Sequence, residues 1–504
     1  MGGLRSAISL SSSSSFARRA ARFLASLALG YLWVPSANAH FFSVSYTLPI
    51  PFAMYAWGAS LSIVISFALL ALFATSSKVS NLGTERTSTL CRLRDGRVMQ
   101  GGRALSLALL LLCIASGLAG AQSNYENFSM TFFWVICVVM LPYTVAIFGN
   151  FYAVINPWKV LVDLVEFMVG RSFGGVLALP TRGKYWPALI MYMALIYIEL
   201  FSQISPFGLS WVLTVYAIIN VGGAWLFGKE EWLRHGEFFG VMLQLIGKFA
   251  PIAWEEDSSA GSFAVKVSLR RPMLSLIREK AEDTSHVVFI LFMLSSTGFD
   301  GLHETVPWVS FFWAKINPYI AGLVHASARE QLLISANAYL LWQRAMLFFS
   351  PFIYLLVFMG VVGLVARIAG PTFSVREMTL RLAPSLVPIA LVYHVAHYFT
   401  MVFSQGGQIV RLISDPFGAG WNLFGTAKID VPPIMFDLGT IWHTQVAIIL
   451  LGHIAGVILA HIEAVRSVAS QSRALLGQLP VLALMVVFTT MGLWILSLPL
   501  APGQ

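Results

Sequence analysis

Apolar residues fall along this chain in long runs separated by short polar links. Ten runs predict membrane-crossing helices, at roughly 52–75, 104–121, 128–149, 187–203, 209–228, 286–300, 345–368, 382–404, 439–463 and 477–499, because about 20 apolar residues cross a bilayer. The pattern predicts an all-α polytopic membrane protein of about ten transmembrane helices. Two other stretches are amphipathic. "NPWKVLVDLVEFMVG" opens with Asn156 as N-cap and Pro157 at the first helical position, and Lys159, Asp163 and Glu166 recur on one face, as in a helix lying on the membrane. "EEWLRHGEFFGVMLQLIGKF" repeats that pattern with Glu230, Arg234 and Glu237, and carries the same expectation.

The connections differ in kind. The long polar stretch 251–285 and the residues before it form an expected cytoplasmic loop, 229–285. Segment 301–344 is rich in Trp and Phe, and 405–438 in Gly, Pro and Asp. Both are expected as long non-helical outside loops, either lids that cover a site or ordinary connectors packed at the interface. No internal repeat is visible.

Composition fixes the class. Hydrophobic residues make up 57% of the 504 and charged residues 11%, too few charges for a soluble core. The formal charge of +9 is scattered through loops with no basic face or aromatic platform, which argues against nucleic acid. Residues 1–39 read as a signal peptide. Arg18, Arg19 and Arg22 precede the apolar "FLASLALGYLWV", and "SANA" offers cleavage after Ala39. Cleavage leaves one polytopic domain, 40–504, with His40 first and a charge of +5. With the N-terminus outside, 23 Lys and Arg fall in inside loops and five in outside loops. That asymmetry predicts an N-out/C-out protein. Cys91, Cys113 and Cys137 lack metal-ligand spacing and read as reduced structural residues.

Candidate chemistry lies in the spans, where ionisable residues are costly and usually face the bundle interior. "LVPIALVYHVAHYFTMVF" places His394 and His397 one turn apart, after Pro384 and Pro388, which are expected to kink the helix. "STGFDGLHETV" puts Asp300, His303 and Glu304 at the outer end of the sixth span, and "WHTQVAIILLGHIAGVILAH" adds His443, His453 and His461. Gly452 and Gly456 flank His453 as a small-xxx-small pair that admits a close helix. Asp300, His303, Glu304, His394, His397 and His443, joined by His40, gather toward one side as metal ligands or proton carriers. Zinc suits imidazole with carboxylate, and copper suits imidazole alone. The rival reading is buried hydrogen bonding, favoured for His453 and His461. Glu199 is a further buried carboxylate on a face the pattern leaves open. No His-Glu-x-x-His, Gly-x-Ser-x-Gly or P-loop motif is present, which argues against a serine hydrolase or an ATPase.

"LPIPFAMYAWGASL", "NPW", "TGFDGL", "LVPIALVYHVAHYF", "SDPFGAGWNLFGTA" and "WHTQVAIILLGHIAGVILAH" together resemble the bacterial integral-membrane fenitrothion hydrolase family, over about 45 to 500 and most densely in the last third. The resemblance implies a bacterial cytoplasmic-membrane enzyme that hydrolyses a hydrophobic organophosphorus triester and releases a nitrophenol. A second, related membrane subunit is also implied. A bound divalent metal, zinc or copper, fits that chemistry by making water nucleophilic and stabilising the phosphoryl oxygen. The expected ligands are His394, His397 and His443, with His40 or His303 in addition. Asp300 or Glu304 is the expected further ligand or general base, in a site facing the outside. Two other classes stay open: a transporter or proton-coupled carrier with a histidine relay, and a haem- or copper-binding redox protein.

Overall fold

A backbone in lipid has no water to bond, so the apolar runs must satisfy their N–H and C=O groups internally as helices. The computed structural model describes residues 49–73, 87–93, 96–257, 264–323, 327–370, 374–429, 431–468 and 471–499, all within one compact unit spanning 44–501. The expected signal at 1–39 and His40 lie outside the described residues.

Along the chain run α1 (Phe52–Phe73), α2 (Gly96–Ala119), α3 (Phe128–Phe148, π-helical over Thr131–Met140), α4 (Pro157–Val169) and α5 (Trp186–Phe201). They continue with α6 (Pro206–Phe227), α7 (Lys229–His235), α8 (Phe238–Gly247), α9 (Thr284–His303), α10 (Val306–Phe311) and α11 (Asn317–Leu323). The last third holds α12 (Ala328–Ala369), α13 (Val375–Leu382), α14 (Val387–Gln405), α15 (Leu438–Ser467) and α16 (Gln471–Ser497). Nine spans among the described residues, with α13 and α14 counted as one, are long and apolar enough to cross a membrane. The all-α polytopic class holds. The tenth expected span, 187–203, is α5, a helix of only 16 residues, about 24 Å long against a hydrocarbon core of about 30 Å.

A small antiparallel sheet, β1 (Ser88–Leu93), β2 (Ile252–Glu256) and β3 (Val265–Leu269), is ordered β1-β3-β2. It lies in segments whose polarity read as loop. The described cysteines are all free.

Helix α9 is the axis of the bundle. Its apolar window is 83% buried, and no other span exceeds 56%, as expected of a helix that is apolar all round from Val287 to Leu294. Helix α15 approaches α14 through its glycines: a Cβ at Gly452 would stand 2.2 Å from the Val392 side chain, and one at Gly456 2.9 Å from Ser385 O. The expected small-residue contact is therefore made.

The two amphipathic stretches part company. Asn156 caps α4 by accepting from Trp158 N and Lys159 N, and Gly170 ends it at φ +69°. Asp163 and Glu166 on its polar face hold Lys229 at 3.0 and 2.7 Å. The second stretch is not one surface helix. It breaks at Gly236, and Glu237, fully buried, caps α8. Its carboxylate accepts from Phe239 N (2.9 Å), Gly240 N (2.7 Å), Tyr216 Oη (2.6 Å) and Asn156 Nδ2 (3.1 Å). Four donors make it cheaper to bury this carboxylate than to leave α8, whose first two residues are both Phe, on the surface.

The expected loop 301–344 is mostly helical. Most of 306–323 is helix, and α12 begins at Ala328 under a capping box formed by Ser327 and Glu330. Trp308 stacks on Trp342 at 4.3 Å, so the aromatic residues that suggested a lid bind these helices together. Segment 405–438 stays largely non-helical, as expected.

Candidate functional site

Helices α5 and α9 run parallel, and α14 crosses their C-terminal ends. At the start, Tyr185 N donates to Ser285 Oγ at 3.1 Å. At the far end, Glu199 of α5 and Asp300 of α9 meet Tyr398 of α14. Tyr398 Oη stands 2.9 Å from Glu199 Oε1 and 2.7 Å from Asp300 Oδ2. The same Asp300 Oδ2 is 2.7 Å from His397 Nε2. A carboxylate, a tyrosine, a second carboxylate and an imidazole thus stand in line, each within hydrogen-bond reach of the next.

Local sequence sets this up. A short 3₁₀ turn, Ala383–Leu386, carries Pro384, and Pro388 lies at the start of α14, so the prolines interrupt the α-helix before the histidines. His394 and Tyr398 are four residues apart and share a face, with ring centroids 4.9 Å apart. Tyr143 of α3 holds the helix by donating to His394 O at 3.1 Å. A cavity of about 20 Å³ adjoins the row, with Glu199, Ser296, Thr297, Asp300, His394 and Tyr398 as its polar walls, room for a water molecule. Asp300 Oδ1 and His394 Nδ1 are buried with no hydrogen-bond partner in the protein, and both residues face that space.

The other expected site residues fall into two groups. His303 is buried at the end of α9, its Nδ1 bonding Asp300 O at 2.8 Å and its Nε2 lying 3.7 Å from Glu304 Oε1. These two continue the row toward the helix end. His443 does not join it: its Nδ1 bonds Gly439 O at 2.7 Å and its Nε2 pairs with Tyr55 Oη at 3.2 Å. His453 turns back on its own helix to Ile449 O, while His461 reaches Gln478 on α16.

Those partners bear on the expected metal. His397 Nε2 is spent on Asp300, and His443 is spent on α1 and its own helix. Among the described residues no group of three His, Cys, Asp or Glu side chains is placed to hold a metal ion. The expected ligand His40 lies outside the described residues, and His394, His397 and His443 are not gathered into one ligand set.

Tyr398 is the member that the sequence pattern does not single out, and Glu199 the one whose face it leaves open. Tyr398 adjoins His397 and lies four residues after His394. That spacing, in a span already suspected, was a usable signal.

No family model, curated protein or solved structure matches the chain.

Proposed function

We propose that this chain is a proton-coupled membrane carrier in which Glu199, Tyr398, Asp300 and His397 form the proton-transfer path, in a bacterial cytoplasmic membrane with the His303 end outside. The observation that carries the reading is the position of the Tyr398 hydroxyl between two carboxyls. A hydroxyl has one hydrogen to give, so it satisfies one of the two contacts. The other is a hydrogen bond only when that carboxyl holds a proton. Asp300 Oδ2 already has His397 Nε2 at 2.7 Å as a second partner, so Glu199 is the carboxyl that holds it. When Glu199 gives its proton to Tyr398 Oη while Tyr398 gives its own to Asp300, a proton has moved one station and the tyrosine is unchanged. His397, Glu304 and His303 then lie toward the open end, where Glu304 is partly exposed.

The test is proton movement into liposomes carrying the purified chain, driven by an imposed membrane potential and read with an internal pH dye. Wild type is expected to carry protons, and Asp300→Asn to lower the rate at least tenfold. Equal rates in the two sink the reading.

Hydrolysis of a hydrophobic organophosphorus triester is the second reading, favoured by the water-sized cavity onto which unpartnered Asp300 Oδ1 and His394 Nδ1 both face. A water held there is next to two bases able to take its proton as it attacks phosphorus, with the nitrophenolate as leaving group. A cavity of about 20 Å³ admits the water and not the triester, so the substrate enters only if the wall of Val138, Phe238 and Phe239 opens. Membranes holding this chain alone, and with a second subunit of the kind the resemblance implies, are assayed for nitrophenol release. Release that Asp300→Asn abolishes would move this reading to first place.

A further inference from the structure

The N-terminal ends of α5 and α9 carry a second group of the same chemistry, which the row above does not use. His235 is buried, with Nε2 3.2 Å from Glu282 Oε2 and Nδ1 3.0 Å from Glu231 O. The Tyr185 ring stands edge-on to His235 at 5.1 Å and stacks on His286 at 4.1 Å and 15°. Glu282 N donates to His286 Nδ1 at 3.3 Å. Fastening the helix starts needs only Asp283, which takes Gly183 N, Lys184 N and His286 N. Glu282 is surplus to that task. It reaches the mostly exposed Arg234 at 3.2 Å and keeps 36% of its own side chain exposed, so the His235–Glu282 pair bridges solvent and the buried aromatic rings.

The spacing connects the two groups. Tyr185, the residue before α5, and Tyr192 and Glu199 within it stand at intervals of seven, and His286 and Asp300 are separated by the same fourteen residues on α9. At 1.5 Å per residue the groups are about 21 Å apart, most of a bilayer core. Tyr192 stands midway along α5, and with Ser296 it lines the cavity that adjoins the Glu199–Asp300 row. Its ring is parallel to Phe238 at 5.7 Å and edge-on to Phe292 at 5.0 Å, with Phe289 at 5.5 Å. On its Tyr185 side the seven residues to Tyr185 span about 10 Å, packed with the rings of Phe238, Phe289 and Phe292.

We infer that His235, Glu282, Tyr185 and His286 form the opposite terminus of the proton path, and that Tyr192, clamped by Phe238, Phe289 and Phe292, is the gate between the two ends. The inference rests on the proton-transfer reading and extends it to a two-ended path that conducts only when the gate moves.

The experiment uses the full chain in liposomes as above, with Glu282→Gln and Tyr192→Phe beside wild type and Asp300→Asn. Each variant is first shown to elute and melt like wild type. Tyr192→Phe keeps the ring and its packing, so it serves if Glu282→Gln loosens the helix start. The expected result is at least a tenfold lower proton rate in Glu282→Gln and a severalfold lower rate in Tyr192→Phe. Proton movement that Asp300→Asn abolishes but both other variants leave intact overturns this inference alone. A wild type that carries no protons overturns the relay and this inference together.

Discussion

Glu237 and Asp300 are both buried carboxylates at helix ends, with relative exposures of 0% and 7%, yet their surroundings are opposite in kind. Both oxygens of Glu237 are doubly satisfied, by two backbone N–H groups, a tyrosine and an asparagine. Asp300 concentrates its partners on Oδ2, shared by Tyr398 and His397, and leaves Oδ1 without one beside a cavity. A carboxylate with every lone pair filled by fixed donors is a structural node. One that gathers its partners on one oxygen and leaves the other open beside free space is, on the proposed reading, a place for exchange. Burial alone does not separate them; completeness of hydrogen bonding does.

The largest effect is expected where the node is removed. Glu237→Leu strips the acceptor from Tyr216, Asn156 and the start of α8. Each donor left unpaired in the interior costs about 1–3 kcal/mol, so a total loss of several kcal/mol is expected. Thermal melting in detergent measures it, and a loss under about 1 kcal/mol would break the comparison by showing the node to be dispensable.

Asp300→Asn is expected to behave the other way. The amide keeps the shape of the side chain and an oxygen that can accept from Tyr398 or His397, so the stability cost is expected to stay near about 1–2 kcal/mol. Proton movement should fall at least tenfold. If this variant melts as low as Glu237→Leu, the two carboxylates are of one kind and the distinction fails.

Tyr398→Phe sharpens the contrast within the row. It keeps the ring against His394 and His397 and removes only the bridging hydroxyl. A loss of about 1 kcal/mol in stability is expected, with a drop in proton rate as large as that of Asp300→Asn. A rate unchanged from wild type would show that water, and not the tyrosine, links Glu199 to Asp300.

The sequence pattern shows much of this and conceals the rest for identifiable reasons. Spans such as α9 and α15 are legible because apolar length is dictated by bilayer thickness, and the close approach at Gly452 because small residues leave few other uses. His397 and Asp300 are legible as candidates because charge in a span is expensive. What stayed hidden depends on rotation and distance. Glu199 could not be placed because α5 is apolar on all sides, so no face announces itself. His443 was assigned to the site from depth alone, and its Tyr55 partner comes from the far end of the chain. Glu237 matched the spacing of a surface helix, since a period cannot reveal that four donors wait in the interior. The loop 301–344 hid its helices behind aromatic residues that suit a lid as well as a packed pair.

A third carboxylate, Glu166, gives the smallest effect and marks the far end of the scale. Burial alone would raise its pKa, but the Lys229 hydrogen bond at 2.7 Å and the donation from Phe173 N outweigh that and hold it below the ordinary value of 4.5. An acid whose pKa is lower folded than unfolded contributes stability above the unfolded value, and loses it as pH falls through the folded one. The pair is half-buried on the polar face of α4, and bridges that still reach water are worth about 1 kcal/mol or less. Acidification below about pH 4.5 is therefore expected to lower the melting temperature of wild type more than that of Lys229→Met, by about a degree or two. Equal acid sensitivity would show that Glu166 draws its low pKa from the backbone donor of Phe173, and would place it with Glu237 among the fixed carboxylates.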